Sequence, residues 1–173
     1  NIPGEELKGT IDSLTFLRSV NLGQPVKLGS KVVVIGGGYT AIDSARTAIR
    51  LGAQQVRILY RRTAEEMPAS QAERQAAIEE GVEIMYLVSP VKIIGRDGKV
   101  ESIECRRMRL GEPDESGRRR PIPIEGSEFM IEADTVITAI GQLPDLTALN
   151  GEIELANNGK TLIVDPVTLT TNI

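Results

Sequence analysis

The sequence predicts an α/β fold built on a parallel β-sheet, and three features of its first third support this. A β-branched run, Val32 to Ile35, is typical of a strand buried on both faces. Three consecutive glycines follow, and apolar residues then recur at helical spacing until Gly52 can end the helix. We predict a strand over Lys31 to Ile35, a helix over Tyr39 to Leu51 and a second strand over Gln55 to Tyr60, which together make a strand–helix–strand unit. We therefore expect a Rossmann-like parallel sheet with a right-handed crossover.

The glycine turn between this strand and helix carries a functional signal. Gly36, Gly38 and Ala41 fit the G-x-G-x-x-G/A pattern of dinucleotide-binding turns. Glycine lets the backbone approach a phosphate closely, and the N-terminus of the next helix supplies unpaired N–H groups and positive charge. The pattern alone also occurs where glycine only permits close packing, so its place between a strand and a helix is essential to the argument. We predict a dinucleotide site at this turn.

The end of the second strand indicates which dinucleotide is bound. An NAD enzyme carries an acidic residue there for the ribose 2′-hydroxyl. This chain has Arg61 and Arg62 instead. A carboxylate would repel a 2′-phosphate, whereas guanidinium groups bind phosphate through forked, charge-assisted hydrogen bonds. We predict that both arginines contact the 2′-phosphate of NADP(H); the alternative is a pair of solvated surface arginines.

The composition excludes several classes of function. The chain has 173 residues, 40% of them hydrophobic, which suffices for one core and a small subdomain. The net charge of −4 gives no basic field for nucleic acid, and no apolar run reaches membrane-spanning length. We expect a soluble, cytoplasmic protein without nucleic-acid or membrane partners.

Histidine is absent and Cys105 is the only cysteine. These two facts exclude Ser-His and Cys-His nucleophile systems, the usual zinc sites and an internal disulfide. Hydride transfer remains possible, because a nicotinamide cofactor carries that chemistry and the protein has only to position it. We predict no catalytic side chain and no metal site, and we interpret Cys105 as structural.

Local patterns predict the remaining α/β elements. Ser70 and Glu73 form an S-x-x-E capping box, which marks the start of a helix. We predict a short helix over Ile11 to Val20, a helix over Gln71 to Glu80, a strand over Val82 to Leu87, and a buried strand over Thr135 to Ile140 that meets Gly141.

Residues 90–131 follow a different pattern and predict an inserted antiparallel β meander. Val91 to Ile94 and Val100 to Met108 flank a turn and form a hairpin, and Phe129 to Ile131 can add a strand. Between them, Gly111 to Gly126 is charged and is bounded by proline, so we predict a solvated loop. The alternative is that its arginine cluster, Arg118 to Arg120, docks a partner.

Five short motifs together resemble one flavoprotein family, that of the NADPH-dependent glutamate synthase small (beta) subunit. Relatives in this group include dihydropyrimidine dehydrogenase and NADH-dependent ferredoxin:NADP oxidoreductase, and the resemblance covers nearly the whole chain. The motifs are Gly36-Gly37-Gly38-Tyr39-Thr40-Ala41-Ile42-Asp43, Tyr60-Arg61-Arg62-Thr63, Glu66-Met67-Pro68-Ala69, Ala139-Ile140-Gly141-Gln142 and Pro144-Asp145.

The resemblance implies a domain organisation. In that family an NADPH-binding domain is inserted into an FAD domain, and electrons pass from NADPH through FAD to iron–sulfur clusters. Residues 1–173 are therefore expected to be an NAD(P)H-binding domain excised from a larger FAD-dependent oxidoreductase, with 1–30 as a lead-in helix and linker. FAD and the iron–sulfur domain or subunit would belong to the parent protein, and this fragment is expected to bind no FAD and to be inactive alone.

The resemblance also implies roles for individual residues. Gly37, Gly38, Tyr39 and Thr40 would line the pyrophosphate and nicotinamide side of the cofactor. Ala139, Ile140 and Gly141 would face the cofactor across the cleft. Tyr39 stands where the family commonly has asparagine. Ala64 stands where it often has a further arginine, which implies somewhat weaker 2′-phosphate binding.

Two other functions are compatible with the sequence. One is an NADP(H)-sensing or scaffolding module with no redox turnover of its own, and the other is a domain whose nucleotide site has degenerated. The intact glycine pattern argues against the second. Asp43 is also open to two interpretations: it either hydrogen-bonds back to the glycine turn or is a polar residue on an otherwise apolar helix.

Overall fold

The computed structural model describes residues 2–114, 117–141, 145–146, 149, 151–156 and 161–173. The chain divides into two compact units, Asn1–Ile140 and Gly141–Ile173. The helices and strands are β1 (Thr10–Asp12), α1 (Ser13–Asn21), β2 (Lys31–Ile35), α2 (Tyr39–Arg50), β3 (Gln55–Tyr60), α3 (Gln71–Glu79), β4 (Val82–Tyr86), β5 (Val88–Arg96), β6 (Lys99–Pro113), β7 (Arg119–Glu132) and β8 (Thr135–Thr138).

The first unit contains a five-stranded sheet and a three-stranded sheet. The larger sheet has the order β1-β8-β2-β3-β4 with all pairs parallel. The smaller sheet, β5-β6-β7, is antiparallel. This confirms the predicted α/β, Rossmann-like sheet with an inserted antiparallel β meander, which here spans Val88–Glu132 rather than 90–131.

Strand β2 shows why its sequence is almost wholly apolar. Val32 and Val34 join a core cluster formed with the helices, whereas Val33 and Ile35 join a second cluster formed with the antiparallel sheet. Successive side chains of a strand point to opposite faces, so a strand covered on both sides must be apolar at every position. The parallel sheet is therefore the middle layer of three.

Several predicted elements are confirmed with small changes in their bounds. Strands β2 and β3 have the predicted limits, and α2, α3 and β4 each end one residue earlier. Ser70 caps α3 as predicted, because its hydroxyl accepts a hydrogen bond from the Glu73 amide at 3.3 Å. The Glu73 carboxylate, however, pairs with Arg46 on α2 at 3.1 Å.

The start of the chain differs from the prediction. Residues 10–12 form β1, which pairs with β8, and the first helix begins only at Ser13 behind an Asp12 cap. The preceding segment is tied to both sheets rather than free. The carbonyl of Pro3 accepts from the Ile93 amide at 2.8 Å, and that of Gly9 accepts from the Val136 amide at 2.8 Å.

The predicted solvated loop over Gly111 to Gly126 is wrong for most of its length. Strand β6 continues to Pro113, and β7 starts at Arg119 and pairs with it. The sequence conceals these strand ends because most of their residues there are exposed, so no apolar alternation marks them. Pro121 and Pro123 are tolerated because β7 is the outer strand of its sheet.

The second unit begins at Gly141 and is described only in parts. It contains an isolated bridge between Leu155 and Leu162. Asp165 orders a turn, since its carboxylate accepts from the amides of Val167 and Thr168 at 2.9 and 2.7 Å. Gln142 and Pro144, from the motifs quoted above, lie outside the described residues.

Candidate nucleotide-binding site

The glycine turn lies at the carboxyl edge of the parallel sheet. Ile35, the last residue of β2, is level with Leu59 of β3 on one side and with Thr138 of β8 on the other. The chain leaves β2 towards β3 and later returns on the opposite side of β2 as β8. A crevice at such a topological switch point is where open parallel sheets bind ligands.

The three glycines of the turn have different structural roles. Gly36 has a φ of 148°, and a Cβ there would overlap the carbonyl oxygen of Ala139. A Cβ at Gly37 would overlap the ring of Tyr60. Gly38 has an ordinary φ of −86°, and a Cβ at this position would have no neighbouring atom within 4 Å. The first two glycines therefore permit packing, while the third leaves space open in front of the helix.

Helix α2 begins at this open space without a side-chain cap. Gly38 is its N-cap residue, and its first turn contains no acidic residue. Among the described residues, no acceptor is found for the amides of Tyr39 and Thr40. Ala41, the last position of the pattern, is fully buried against the core. The helix N-terminus thus presents free N–H donors, as an anion site requires.

The other residues predicted at this edge are placed as follows. Tyr39 is 54% exposed and Ile140 is 59% exposed, which is high for large apolar side chains. Ala139 lies against Gly36, and its amide bonds to the Ile35 carbonyl at 2.8 Å. Gly141 belongs to the second unit and has a φ of 88°. Asp43 is exposed, which favours its interpretation as a solvated helix residue.

The two predicted arginines have different environments. Arg61 is exposed, and no hydrogen bond or ion pair holds its side chain within the part of the chain described here. Arg62 is only 4% exposed. Its guanidinium donates to the carbonyl of Arg119 at 2.7 Å and to the carboxylate of Asp114 at 2.6 Å. Arg61 is thus free for a ligand, while Arg62 is already bound within the protein.

A charged network missed by the sequence reasoning surrounds Arg62. The guanidinium of Arg119 donates to the carboxylates of Glu66 and, at 2.8 Å, Glu65. Burial alone would raise the pKa of Glu66, but hydrogen bonds from Thr63 and Arg119 outweigh it and the pKa is lowered. Because these partners lie more than fifty residues apart, no local pattern indicates them.

The segment after β3 is also fixed to the glycine turn. The Tyr60 hydroxyl donates to the carbonyl of Glu66 at 2.6 Å, and the Ala69 amide donates to the carbonyl of Gly37 at 3.1 Å. The motif Glu66-Met67-Pro68-Ala69 therefore braces the turn, with Met67 and Ala69 in the core.

Other kinds of site are not supported in the described part of the chain. No group of three His, Cys, Asp or Glu residues there could hold a metal ion. None of its helices is both long enough and apolar enough to cross a membrane. Cys105 is fully buried, and burial raises the pKa of its thiol to about 12. This supports its interpretation as a structural residue.

A separate cavity of about 460 Å³ opens at the opposite, amino-terminal edge of the parallel sheet. Four charged side chains at its rim are paired with one another, Lys31 with Glu132 and Arg96 with Glu101. Asp134 is held by the amides of Ser30 and Lys31. This cavity is therefore not the predicted nucleotide crevice.

The fold and the turn define a class of protein: an α/β nucleotide-binding domain with a glycine turn at the switch point of its sheet. The sequence profile of the family described as "Pyridine nucleotide-disulphide oxidoreductase" matches residues 1–173. The chain belongs to this family. With Cys105 as the only cysteine, the residues of this chain cannot themselves form a redox-active disulfide.

Curated relatives of high similarity are NADP-linked enzymes. The chain is 48% identical over 166 residues to the NADP(+)-dependent formate dehydrogenase subunit beta of Moorella thermoacetica, covering 95% of this chain and 23% of that protein. It is 54% identical over 142 residues to the NADPH-Fe(3+) oxidoreductase subunit beta of Geobacter sulfurreducens, covering 82% and 21%. It is 47% identical over 152 residues to the glutamate synthase [NADPH] small chain of Halomonas elongata, covering 82% and 32%. The chain thus spans about a fifth to a third of these relatives.

Solved structures agree on the fold. FprA of Mycobacterium tuberculosis in complex with NADPH superposes with a TM-score of 0.71 at 20% identity, covering 96% of this chain and 51% of that one. Thioredoxin reductase of T. acidophilum gives a TM-score of 0.72 at 20% identity, covering 100% and 50%. Family membership favours a domain of an NADPH-dependent oxidoreductase over a sensing or scaffolding module.

Proposed function

We propose that this chain is the NADP(H)-binding domain of a flavin-dependent oxidoreductase, a glutamate synthase small subunit or a paralogue of one. The observation that carries the proposal is the presence of two features at one sheet edge: the open N-terminus of α2 at Gly38, and Arg61 at the end of β3, which is exposed and has no ion-pair partner among the described residues. The pyrophosphate would lie on the first and the 2′-phosphate on the second.

The residues present fit such a cofactor. The amides of Tyr39 and Thr40 would donate to the pyrophosphate, and Gly38 would allow its close approach. Ala139, Ile140 and Gly141 would border the nicotinamide side. The nicotinamide supplies the hydride when bound, so this chain needs only to orient it and to exclude water. The exposed apolar surfaces of Tyr39 and Ile140 suit that task.

The remaining parts of the reaction would lie outside this chain. We propose that FAD is held by an FAD domain of the parent protein, and that an iron–sulfur domain or subunit takes the electrons onward. Three relatives with similar percentage identity to this chain are named for three different reactions. This supports an NADP(H) step that they share and an electron acceptor that differs among them. A cytoplasmic location remains an expectation from the sequence.

Calorimetric titration of the 173-residue chain with NADP and NAD tests the proposal. A charge-assisted hydrogen bond contributes about 1.5 to 3 kcal/mol, so one arginine predicts a preference for NADP of roughly tenfold to a hundredfold. Arg61→Asp should remove this preference, because it replaces attraction to the 2′-phosphate by repulsion. The preference of the unaltered chain should also shrink as salt rises, since Arg61 is exposed.

Arg96→Asp provides a matched control with the same change in charge. Arg96 is exposed and lies beside the cavity at the opposite edge of the sheet. We expect it to leave the ratio of the two dissociation constants unchanged. Equal binding of NADP and NAD by the unaltered chain would contradict the proposed cofactor.

A further inference from the structure

Arg119 lies on β7 of the antiparallel sheet, yet three of its contacts reach the segment that follows β3. Its guanidinium pairs with Glu66 and, at 2.8 Å, with Glu65. Its backbone carbonyl accepts from the Arg62 guanidinium at 2.7 Å. One residue of the inserted meander thus holds both acidic and basic side chains of the segment that begins at Arg61.

The acidic residues of this segment are unfavourable for a phosphate ligand. Glu65 and Glu66 follow Arg61 by only a few residues, and the side chain of Glu65 is 82% exposed. Glu66 is buried with its pKa lowered, so it is charged at neutral pH. Physiological salt screens exposed charges beyond about 8 Å, so carboxylates left without a cation would repel a phosphate dianion bound within that distance of them.

Arg62 also connects Arg119 to Arg61 through the backbone. Its side chain is 5% exposed and is clamped by Asp114 and by the Arg119 carbonyl. Its own carbonyl accepts from the Leu87 amide at 3.1 Å. Fixing the backbone at Arg62 restricts the residue before it, which lowers the entropy lost when Arg61 binds a ligand.

We propose that Arg119 strengthens the preference of the Arg61 site for NADP over NAD without touching the cofactor. Its positive charge offsets one of the two negative charges of Glu65 and Glu66, which reduces their repulsion of the 2′-phosphate, and through Arg62 it supports the backbone that presents Arg61. Arg119 is thus a positioning and charge-balancing residue of the site. This inference rests on the proposed function, because it assumes that Arg61 receives the 2′-phosphate.

The test compares dissociation constants for NADP and NAD in the full chain. Arg119→Gln should weaken NADP binding roughly three- to tenfold relative to NAD, because it removes the one positive charge that is paired with the carboxylates of Glu65 and Glu66. Adding Glu65→Gln to that variant should restore part of the preference, and Arg119→Lys should retain most of it. If Arg119 had a purely structural role, Arg119→Gln would weaken the binding of both nucleotides alike, and adding Glu65→Gln would not restore the preference for NADP.

Arg106→Gln is the matched control, because it breaks the ion pair of Arg106 with Glu128 at 2.9 Å on the same sheet. It should leave the NADP-to-NAD ratio unchanged. Thermal melting verifies that each variant is folded. If Arg119→Gln does not fold, Glu65→Lys in the otherwise unaltered chain replaces it, and this exposed change should raise the preference for NADP.

The outcomes distinguish a failure of the proposed function from a failure of the proposed role of Arg119. If the unaltered chain binds NADP no better than NAD, the proposed function fails. If it prefers NADP and Arg119→Gln keeps that full preference, only the role of Arg119 is overturned. An unchanged ratio in Glu65→Lys would overturn that role equally.

Discussion

At the residue scale, the three glycines of the turn have different structural roles although they are identical residues. Gly36 and Gly37 are needed for packing against Ala139 and Tyr60 respectively. Gly38 faces open space with a φ that any residue adopts. The structure therefore separates the glycines that packing requires from the one that leaves space for the proposed ligand.

Gly38→Val should abolish NADP binding while leaving the circular dichroism spectrum and the melting temperature nearly unchanged. The branched side chain would fill the space where the pyrophosphate is expected, but it would meet no protein atom. Gly36→Ala is the contrasting variant. It should destabilise the fold by about 2 kcal/mol or more, because its φ is positive and its Cβ would overlap the Ala139 carbonyl. Normal NADP binding by Gly38→Val would place the site elsewhere.

At the element scale, the ends of helices α2 and α3 are joined by an ion-pair cluster. The Glu80 carboxylate accepts from the guanidinium groups of Arg46 and Arg50, each at 2.7 Å. Hydrogen bonds from Arg46 and then Arg50 lower the pKa of Glu80 to about 2. The cluster therefore orients the α2 helix, whose other end forms the candidate nucleotide site.

This cluster predicts a dependence of stability on pH. A carboxyl group with a lowered pKa in the folded state stabilises the fold fully above its unfolded pKa of about 4.5, and loses that contribution as pH falls towards 2. We expect the melting temperature to fall over this window, and we expect Glu80→Gln to reduce the fall. Glu79→Gln is the control, because the Glu79 carboxylate accepts from the side-chain amide of Gln75 and not from an arginine among the residues that the structure describes. Identical pH profiles for Glu80→Gln and the unaltered chain would contradict this role.

At the scale of the whole molecule, the core is confined to the first of the two units. In the described residues, every buried hydrophobic side chain lies between Phe16 and Ile137. A chain ending at Ile140 should therefore unfold cooperatively, with a melting temperature within about 5 °C of that of the full chain. A chain starting at Lys31 should lose this cooperativity, because it lacks β1 and the buried Phe16. A non-cooperative melt of the chain ending at Ile140 would show that residues 141–173 are part of the folding unit.

The parts of the fold that could be predicted are those with a local cause. Strand β2 is apolar because both its faces are covered, and α3 begins at Ser70 because its hydroxyl caps the helix. Strand β1 has only three residues and exists through parallel pairing with β8, more than a hundred residues away. No local pattern marks such a strand. The outer ends of β6 and β7 also lack a local sequence pattern, because they form by pairing with each other and most of their residues are exposed.

The sequence by itself determined the α/β class, the glycine turn and the basic strand end that indicates NADP. Each of these depends on neighbouring residues, whose spacing sets periodicity, backbone freedom and charge. Only the tertiary structure decided that Arg61 is exposed while Arg62 is paired with Asp114, and that Arg119 is paired with Glu65 and Glu66. Those contacts join residues about fifty positions apart, and which arginine remains free depends on which carboxylates the fold brings beside it.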